Sequence, residues 1–247
     1  MSIDHWSHLR PVIADAIRSQ PRSLQRRIGP SEIGTPCDAC LVCKLAGAPK
    51  AEDSLPWLPF IGTCVHERLE GIFGGHPDRY MVETKVTVGQ IGGVDITGHA
   101  DLFDVHTGTV LDWKIVGKTT LTDVRRKGLA VSKPSYHVQR NLYGVGFEAL
   151  GFPVNEVGAV FLPRNELSID SLHIDVAPFD PDVAKRALDR ANEAHDYLTQ
   201  HGLEAAVAYV GGHDGSDYDC DRYKAALLSD SDNGNPTTQE NLSWLAN

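Results

Sequence analysis

Three runs in the middle of the chain alternate apolar and polar residues with the two-residue period of half-buried strands. They are 79–88 (RYMVETKVTV), 93–105 (GVDITGHADLFDV) and 108–116 (GTVLDWKIV). The short glycine-containing links GQIGG and HTG predict that the three form an antiparallel meander. Ahead of it, residues 58–75 place Ile61, Val65, Leu69 and Ile72 on one helical face, and a glycine pair ends the helix. An earlier helix over 6–20 is predicted by Trp6, Leu9, Val12, Ile13, Ala16 and Ile17. Residues 19–37 are broken by proline and glycine and predict loop with room for a short helix.

Behind the meander, 134–151 opens at Pro134 and stops at Gly151, the punctuation of a helix. Residues 155–165 and 168–179 predict two further strands. A long helix follows over 180–202, with Asp180 as cap, Pro181 in the first turn and Gly202 at the end. This order predicts an α/β fold: a mixed central sheet flanked by helices. The chain divides into an N-terminal helical and cysteine-containing segment (1–57), a core (58–202), a C-terminal segment with Cys220 (203–228) and a polar, flexible tail (229–247).

With 247 residues, 41% of them hydrophobic, the chain is long enough to bury a sizeable core. Its apolar runs fall short of the ~20 residues of a membrane helix, and the N-terminus lacks the basic start and apolar stretch of a secretory signal. Five cysteines without such a signal point to a reducing compartment, the cytoplasm, and to metal ligands or thiols rather than disulfides.

A net charge of −10 opposes a nucleic-acid partner only on average. From Lys114 to Arg140 there are seven basic residues and one acid, Asp123, whereas Asp214 to Glu240 holds seven acids and two bases. A basic middle suits an anionic ligand; it equally suits a solvated charged loop.

Asp101, Asp112 and Lys114 sit among Ile, Leu, Phe, Val and Trp, where carboxylates are costly unless a cation holds them. Strand alternation puts Asp112 and Lys114 on one face, and the HTG hairpin returns Asp101 alongside. Such a group can be a structural ion pair. It can also be an oxygen-rich site for a Mg²⁺-type ion, with a lysine steadying charge on a phosphate.

The order of several short motifs resembles the RecB-like branch of the PD-(D/E)XK nucleases, which includes the CRISPR adaptation exonucleases. The chain has G-x-x-x-H at Gly62 and His66, G-x-x-D at Gly98 and Asp101, D-x-K at Asp112 and Lys114, and Q-x-x-x-Y at Gln139 and Tyr143. The resemblance implies a restriction-endonuclease-like core and a DNA nuclease of the exonuclease type, dependent on Mg²⁺ or Mn²⁺. It implies that His66, Asp101, Asp112 and the carbonyl of Trp113 ligate the metal, that Lys114 is catalytic, and that Gln139 and Tyr143 position the site. Glu83 is an accessory carboxylate in this reading. Tyr136, Tyr143 and Phe147 are available either for stacking bases or for the core. A non-cleaving nucleic-acid-binding or recombination accessory protein, and an iron–sulfur regulatory protein, are the rival readings. The sequence names no helicase or recombination partner.

The cysteines form a second signal. Cys37, Cys40 and Cys43 follow C-x₂-C-x₂-C, the spacing of ferredoxin-type runs, and Cys220 is the distant candidate for a fourth thiolate. Relatives in the resembled branch carry a [4Fe–4S] cluster on one early and three late cysteines, so three early and one late is a departure. A [4Fe–4S] cluster, a four-thiolate zinc ion and unliganded thiols remain open. Cys64, inside G-x-x-x-H, is expected to be a small core residue.

Overall fold

The alternating runs form a five-stranded sheet in a computed structural model of the protein, which describes residues 9–19, 28–51 and 55–232. Strands β1 (Tyr80–Ile91), β2 (Val94–Asp104) and β3 (Thr109–Val116) make the expected antiparallel meander. Gly92 and Gly93, both at positive φ (57° and 79°), turn β1 into β2, a conformation that a side chain would strain. β4 (Glu156–Pro163) pairs parallel with β3, and β5 (His173–Pro178) pairs antiparallel with β4, giving the order β1-β2-β3-β4-β5. The sheet is therefore mixed and flanked by helices, as the element order predicts.

The helices, in chain order, are α1 (Leu9–Arg18), α2 (Pro30–Ile33), α3 (Asp38–Leu45), α4 (Trp57–Phe73), α5 (Lys118–Lys127), α6 (Leu129–Ser132), α7 (Pro134–Ala149), α8 (Pro181–His201), α9 (Leu203–Tyr209) and α10 (Cys220–Asp232). The parallel step from β3 to β4 needs a long crossover, and α5, α6 and α7 supply it. α8 begins as expected: Asp180 Oδ1 accepts the amide of Asp182 at 3.0 Å, and Gly202 ends the helix at φ 81°. Of the expected first helix, Trp6 lies outside the described residues, as does the tail beyond Asp232. Residues 229–232, assigned to that tail, are helical in α10.

One face of the sheet carries the main core. Val86, Val88, Ile96, Ala100, Phe103, Val110 and Val157 pack against Leu142, Tyr143 and Phe147 of α7 and Ala184, Ala187 and Ala191 of α8. Gly146 lets α7 come close, because a Cβ there would stand 2.7 Å from Val86. The other face is thinner: Leu102, Trp113 and Val160 are covered by Leu69 and Phe73 of α4. No residue of α4 is fully buried, and Ile72, expected on its packed face, is exposed. The apolar stripe over 61–72 is thus wider than the strip of sheet it covers. Among the described residues no helix is long and apolar enough to cross a membrane.

Besides the register shift between Thr87 and Gly89, side-chain alternation inverts near the start of β1 and once in β2. Tyr80, Val82 and Leu102 face α4, yet Val86, Val88 and Ala100, at the same parity, face α7. Each strand absorbs half a period between these groups, at Glu83 and Asp101, where the register passes from Val82↔Leu102 to Thr84↔Ala100.

Candidate active site and thiolate centre

Glu83 is the only described non-glycine residue at positive φ, 43°. That conformation is disfavoured for a residue with a Cβ, and it accompanies the inversion of alternation in β1. His66 on α4 meets the same point, so that ligand atoms of His66, Glu83 and Asp101 all lie within 4.8 Å of one another.

Asp101 also spans the gap where the β2–β3 ladder ends at Leu102↔Leu111. Its Oδ2 accepts the backbone N–H of Trp113 at 2.7 Å, and its Oδ1 lies 3.3 Å from His66 Nδ1. The other imidazole nitrogen, Nε2, lies 3.1 Å from the carbonyl oxygen of Trp113. Burial disfavours a charged His66, but the Asp101 and Asp112 carboxylates outweigh it and raise the imidazole above its ordinary value.

Asp112 and Lys114 share a face of β3, as alternation predicts, and it is the α7 face. Their Oδ2 and Nζ are 2.5 Å apart, a close buried ion pair. Asp112 is buried deeply enough that its carboxyl is pushed up to about 6 by desolvation, despite the neighbouring Lys114. Lys114 Nζ donates to Gln139 Oε1 at 2.7 Å and stands 4.5 Å from the centre of the Tyr136 ring. Gln139 Nε2 in turn donates to the Tyr143 hydroxyl at 3.4 Å, one helical turn along α7. Gly98 has a steric reason in the same place: a Cβ would lie 2.7 Å from Pro30 and 3.2 Å from Tyr143.

The sequence-predicted residues are therefore brought together in two linked groups. His66, Glu83, Asp101 and the Trp113 carbonyl form one; Asp112, Lys114, Gln139 and Tyr143 form the other, on the α7 side. Asp112 stands outside the tight trio, in which Glu83 takes part instead. Tyr143 and Phe147 are buried and unavailable for stacking on bases. Cys64 is exposed, because its face of α4 turns away from the sheet.

An imidazole with two carboxylates is a donor set for a hard divalent ion, and the Trp113 carbonyl lies at the imidazole's other nitrogen, where it fixes the ring. The buried Asp112 carboxylate, paired with the Lys114 ammonium, stands beside this set.

The basic segment is helical rather than a loop. Arg125, Arg126 and Lys127 occupy the last turn of α5, and Arg126 and the half-exposed Lys127 pair with Asp123. Arg140 is buried and paired with Asp175 at 2.7 Å, so it is not part of any exposed basic surface.

The second cluster joins the two ends of the chain. Cys37 caps α3, its Sγ accepting the amide of Cys40 at 3.4 Å, which presents both thiols at one helix end. Cys220 opens α10, and its Sγ is 3.4 Å from that of Cys40. His213, which spacing alone did not single out, enters from the loop between α9 and α10. Gly211, Gly212 and Gly215 around it have positive φ. Its Nδ1 is 3.3 Å from Cys40 Sγ and 3.9 Å from Cys37 Sγ; its Nε2 is 4.0 Å from Cys43 Sγ. Cys37, Cys40, His213 and Cys220 thus form a group that could bind a metal ion. Desolvation raises the Cys37 and Cys40 thiols and pushes Cys43 up to about 12. Burial acts likewise on Cys220, but hydrogen bonding from the backbone at Asp217 and from Cys40 leaves it lowered. Beside the cluster, Asp219 accepts from Lys50 at 2.7 Å and from Arg222 at 2.8 Å, fastening α10 to the segment after α3.

Fold and site define an α/β protein with a mixed five-stranded sheet, an acid–imidazole–lysine cluster at its β2–β3 gap and a cysteine–histidine cluster tying its ends. No protein-family model and no curated protein matches the chain. Among solved structures, the crystal structure of SSO0001 matches at a TM-score of 0.46 and 11% identity, over 83% of this chain and 96% of that one. The crystal structure of LHK-Exo in complex with dAMP matches at 0.46 and 15% identity, over 82% and 94%. Similarity of that extent carries no chemistry, which has to be read from the side chains.

Proposed function

We propose that the protein is a Mg²⁺- or Mn²⁺-dependent DNA nuclease that hydrolyses phosphodiesters. The observation that carries this reading is the convergence at the β2–β3 gap of His66, Glu83 and Asp101, with Asp112 and a lysine fixed by Gln139 close by. A merely structural ion pair needs one acid and one base; it gives no reason to hold a third carboxylate in a strained backbone.

His66, Glu83 and Asp101 would hold the ion, the Trp113 carbonyl would fix the imidazole through its other nitrogen, and Asp112 would stand beside the ion. A divalent ion there supplies a more acidic bound water and neutralises phosphate charge. Lys114 keeps a fixed ammonium at the site and stabilises negative charge building on the scissile phosphate. Asp112, ionised beside the ion, would accept the proton of the attacking water. The water oxygen forms the new P–O bond as the bond to the leaving nucleotide breaks, and the leaving oxygen is protonated from solvent. Arg126 and Lys127 on α5, now paired with Asp123 at the surface, would exchange that pairing for phosphate contacts that weaken as salt rises. Cleavage from strand ends, the exonuclease mode, follows from the motif resemblance.

The test is release of nucleotides from end-labelled single- and double-stranded DNA, with closed circular DNA as a control. Mg²⁺- or Mn²⁺-dependent release that chelator abolishes is expected. Release only from strands with ends supports the exonuclease mode; no metal-dependent cleavage of any substrate overturns the reading.

A further inference from the structure

Four buried sulfurs and one imidazole lie in the second cluster, one donor more than a tetrahedral ion uses. We propose that Cys37, Cys40, Cys220 and His213 hold a single zinc ion, and that Cys43 stays outside its coordination sphere as the acceptor of the His213 Nε2–H. This departs from the four-cysteine iron–sulfur cluster that the motif resemblance implies.

Spacing is the first argument. A tetrahedral ion with Zn–S of ~2.3 Å and Zn–N of ~2.0 Å sets its donor atoms about 3.5–3.8 Å apart. Here Cys40 Sγ is 3.4 Å from Cys220 Sγ and 3.3 Å from His213 Nδ1, and Cys37 Sγ is 3.9 Å from the same nitrogen. All four donor atoms are within 4.8 Å of one another. A four-iron cluster places its own iron and sulfide core between the thiolates, which must then stand much farther apart. The donors of this site are gathered for one ion.

The histidine's orientation is the second argument. Nδ1 faces Cys37 and Cys40, whereas Nε2 faces Cys43 at 4.0 Å. A metal-bound imidazole generally donates its other N–H to a neighbouring acceptor, which fixes tautomer and ring angle. Cys43 stands where that acceptor belongs. The Tyr223 ring, stacked on His213 at 14° and 6.0 Å between centroids, holds the same orientation from the opposite element, α10.

Three thiolates and one imidazole make a closed structural zinc set. Closing it ties the start of α3 to the start of α10. The inference is independent of the cleavage chemistry, and its test reads metal rather than activity.

The full chain is to be purified from metal-replete cells both aerobically and anaerobically, then assayed for zinc, iron and acid-labile sulfide. One zinc per chain, with neither iron nor sulfide and no visible colour, is expected from both preparations. Cobalt substituted for zinc should give the intense visible bands of a tetrahedral cobalt–thiolate centre. Cys43→Ser should keep full zinc stoichiometry, and His213→Ala should weaken retention against a competing chelator by at least tenfold. Because His213→Ala could unfold the chain, the wild-type metal content and the Cys43→Ser stoichiometry stand as separate tests. Iron with sulfide in the anaerobic protein, absence of bound metal, or loss of zinc in Cys43→Ser with retention in His213→Ala each overturns the proposal.

Discussion

Glu83 and Asp101 oppose each other on β1 and β2 at an interruption of the ladder, and both turn toward His66. The two strands invert their alternation at a common point, and carboxylates from both reach one place. The left-handed backbone of Glu83 is the local cost of that arrangement, about 1 kcal/mol.

Stability at position 83 should therefore run opposite to the usual strand order. In an ordinary strand glycine is less stable than alanine. At φ 43°, Glu83→Gly should melt above Glu83→Ala, by a difference worth about 1 kcal/mol. Both variants should lose metal-dependent cleavage. Thermal denaturation in chelator checks the order; an alanine variant as stable as the glycine one would show that the backbone is unstrained.

Lys114→Ala should reduce kcat by about 10²–10⁴-fold, the range for losing one positioned charge or proton-transfer group. It also removes the cation that partly offsets burial of Asp112, whose carboxyl already lies above the 3.8 of an exposed aspartate. A raised folded value means that the unfolded chain releases its proton first. Wild type and variant should both lose stability from about pH 4, where the unfolded aspartate ionises. Wild type should level off above about 6 while the variant, with Asp112 raised further, keeps losing it, so the gap is constant below about 6 and widens above it. Urea denaturation across pH measures this; a pH-independent difference would contradict it.

In the proposed reaction, protons and a divalent ion would compete at His66 and beside Asp112. His66 is raised above its ordinary 6.5 and Asp112 lies near 6, so both bind protons more readily than an unperturbed site. Activity at subsaturating Mg²⁺ should rise from pH 5 to 8, with the steepest change at about 6–7, and excess metal should move the profile to lower pH. A profile insensitive to metal concentration would break the link.

Away from the site, Asp104 ends β2 with its Oδ2 accepting from Arg79 at 2.7 Å and its Oδ1 from the His106 amide at 3.0 Å. Burial works to raise its carboxyl, but the Arg79 guanidinium and the amide lower it below 3.8. A depressed folded value gives stability that is present above the unfolded value and lost as pH falls through the folded one. Arg79→Ala should be less stable than wild type at neutral pH, with the gap closing in acid. An unchanged gap at the acid end of the titration would mean that the pair contributes nothing through ionisation.

Much of the architecture is written in local pattern. Period-two alternation in 79–116, the Pro134 and Gly151 punctuation, and the Asp180 cap are set by residues within a few positions, so they are legible without the fold. The same parity puts Asp112 and Lys114 on one face, and i, i+4 spacing puts Gln139 above Tyr143. What only the tertiary structure decides involves partners remote in sequence or a break of periodicity. The half-period shift at Glu83 and Asp101 inverts which residues face α4, an inversion that assumed alternation hides. The basic segment around α5 lacks a wide apolar stripe, so its helix shows only once Leu121 and Val124 find Phe161 on β4. His213 lies in a glycine-rich loop with no spacing relation to Cys37 or Cys40, and joins them because α3, α9 and α10 pack together. Periodicity reports how a segment presents itself to a core, whereas a metal site is a distance between segments, and only packing sets that distance.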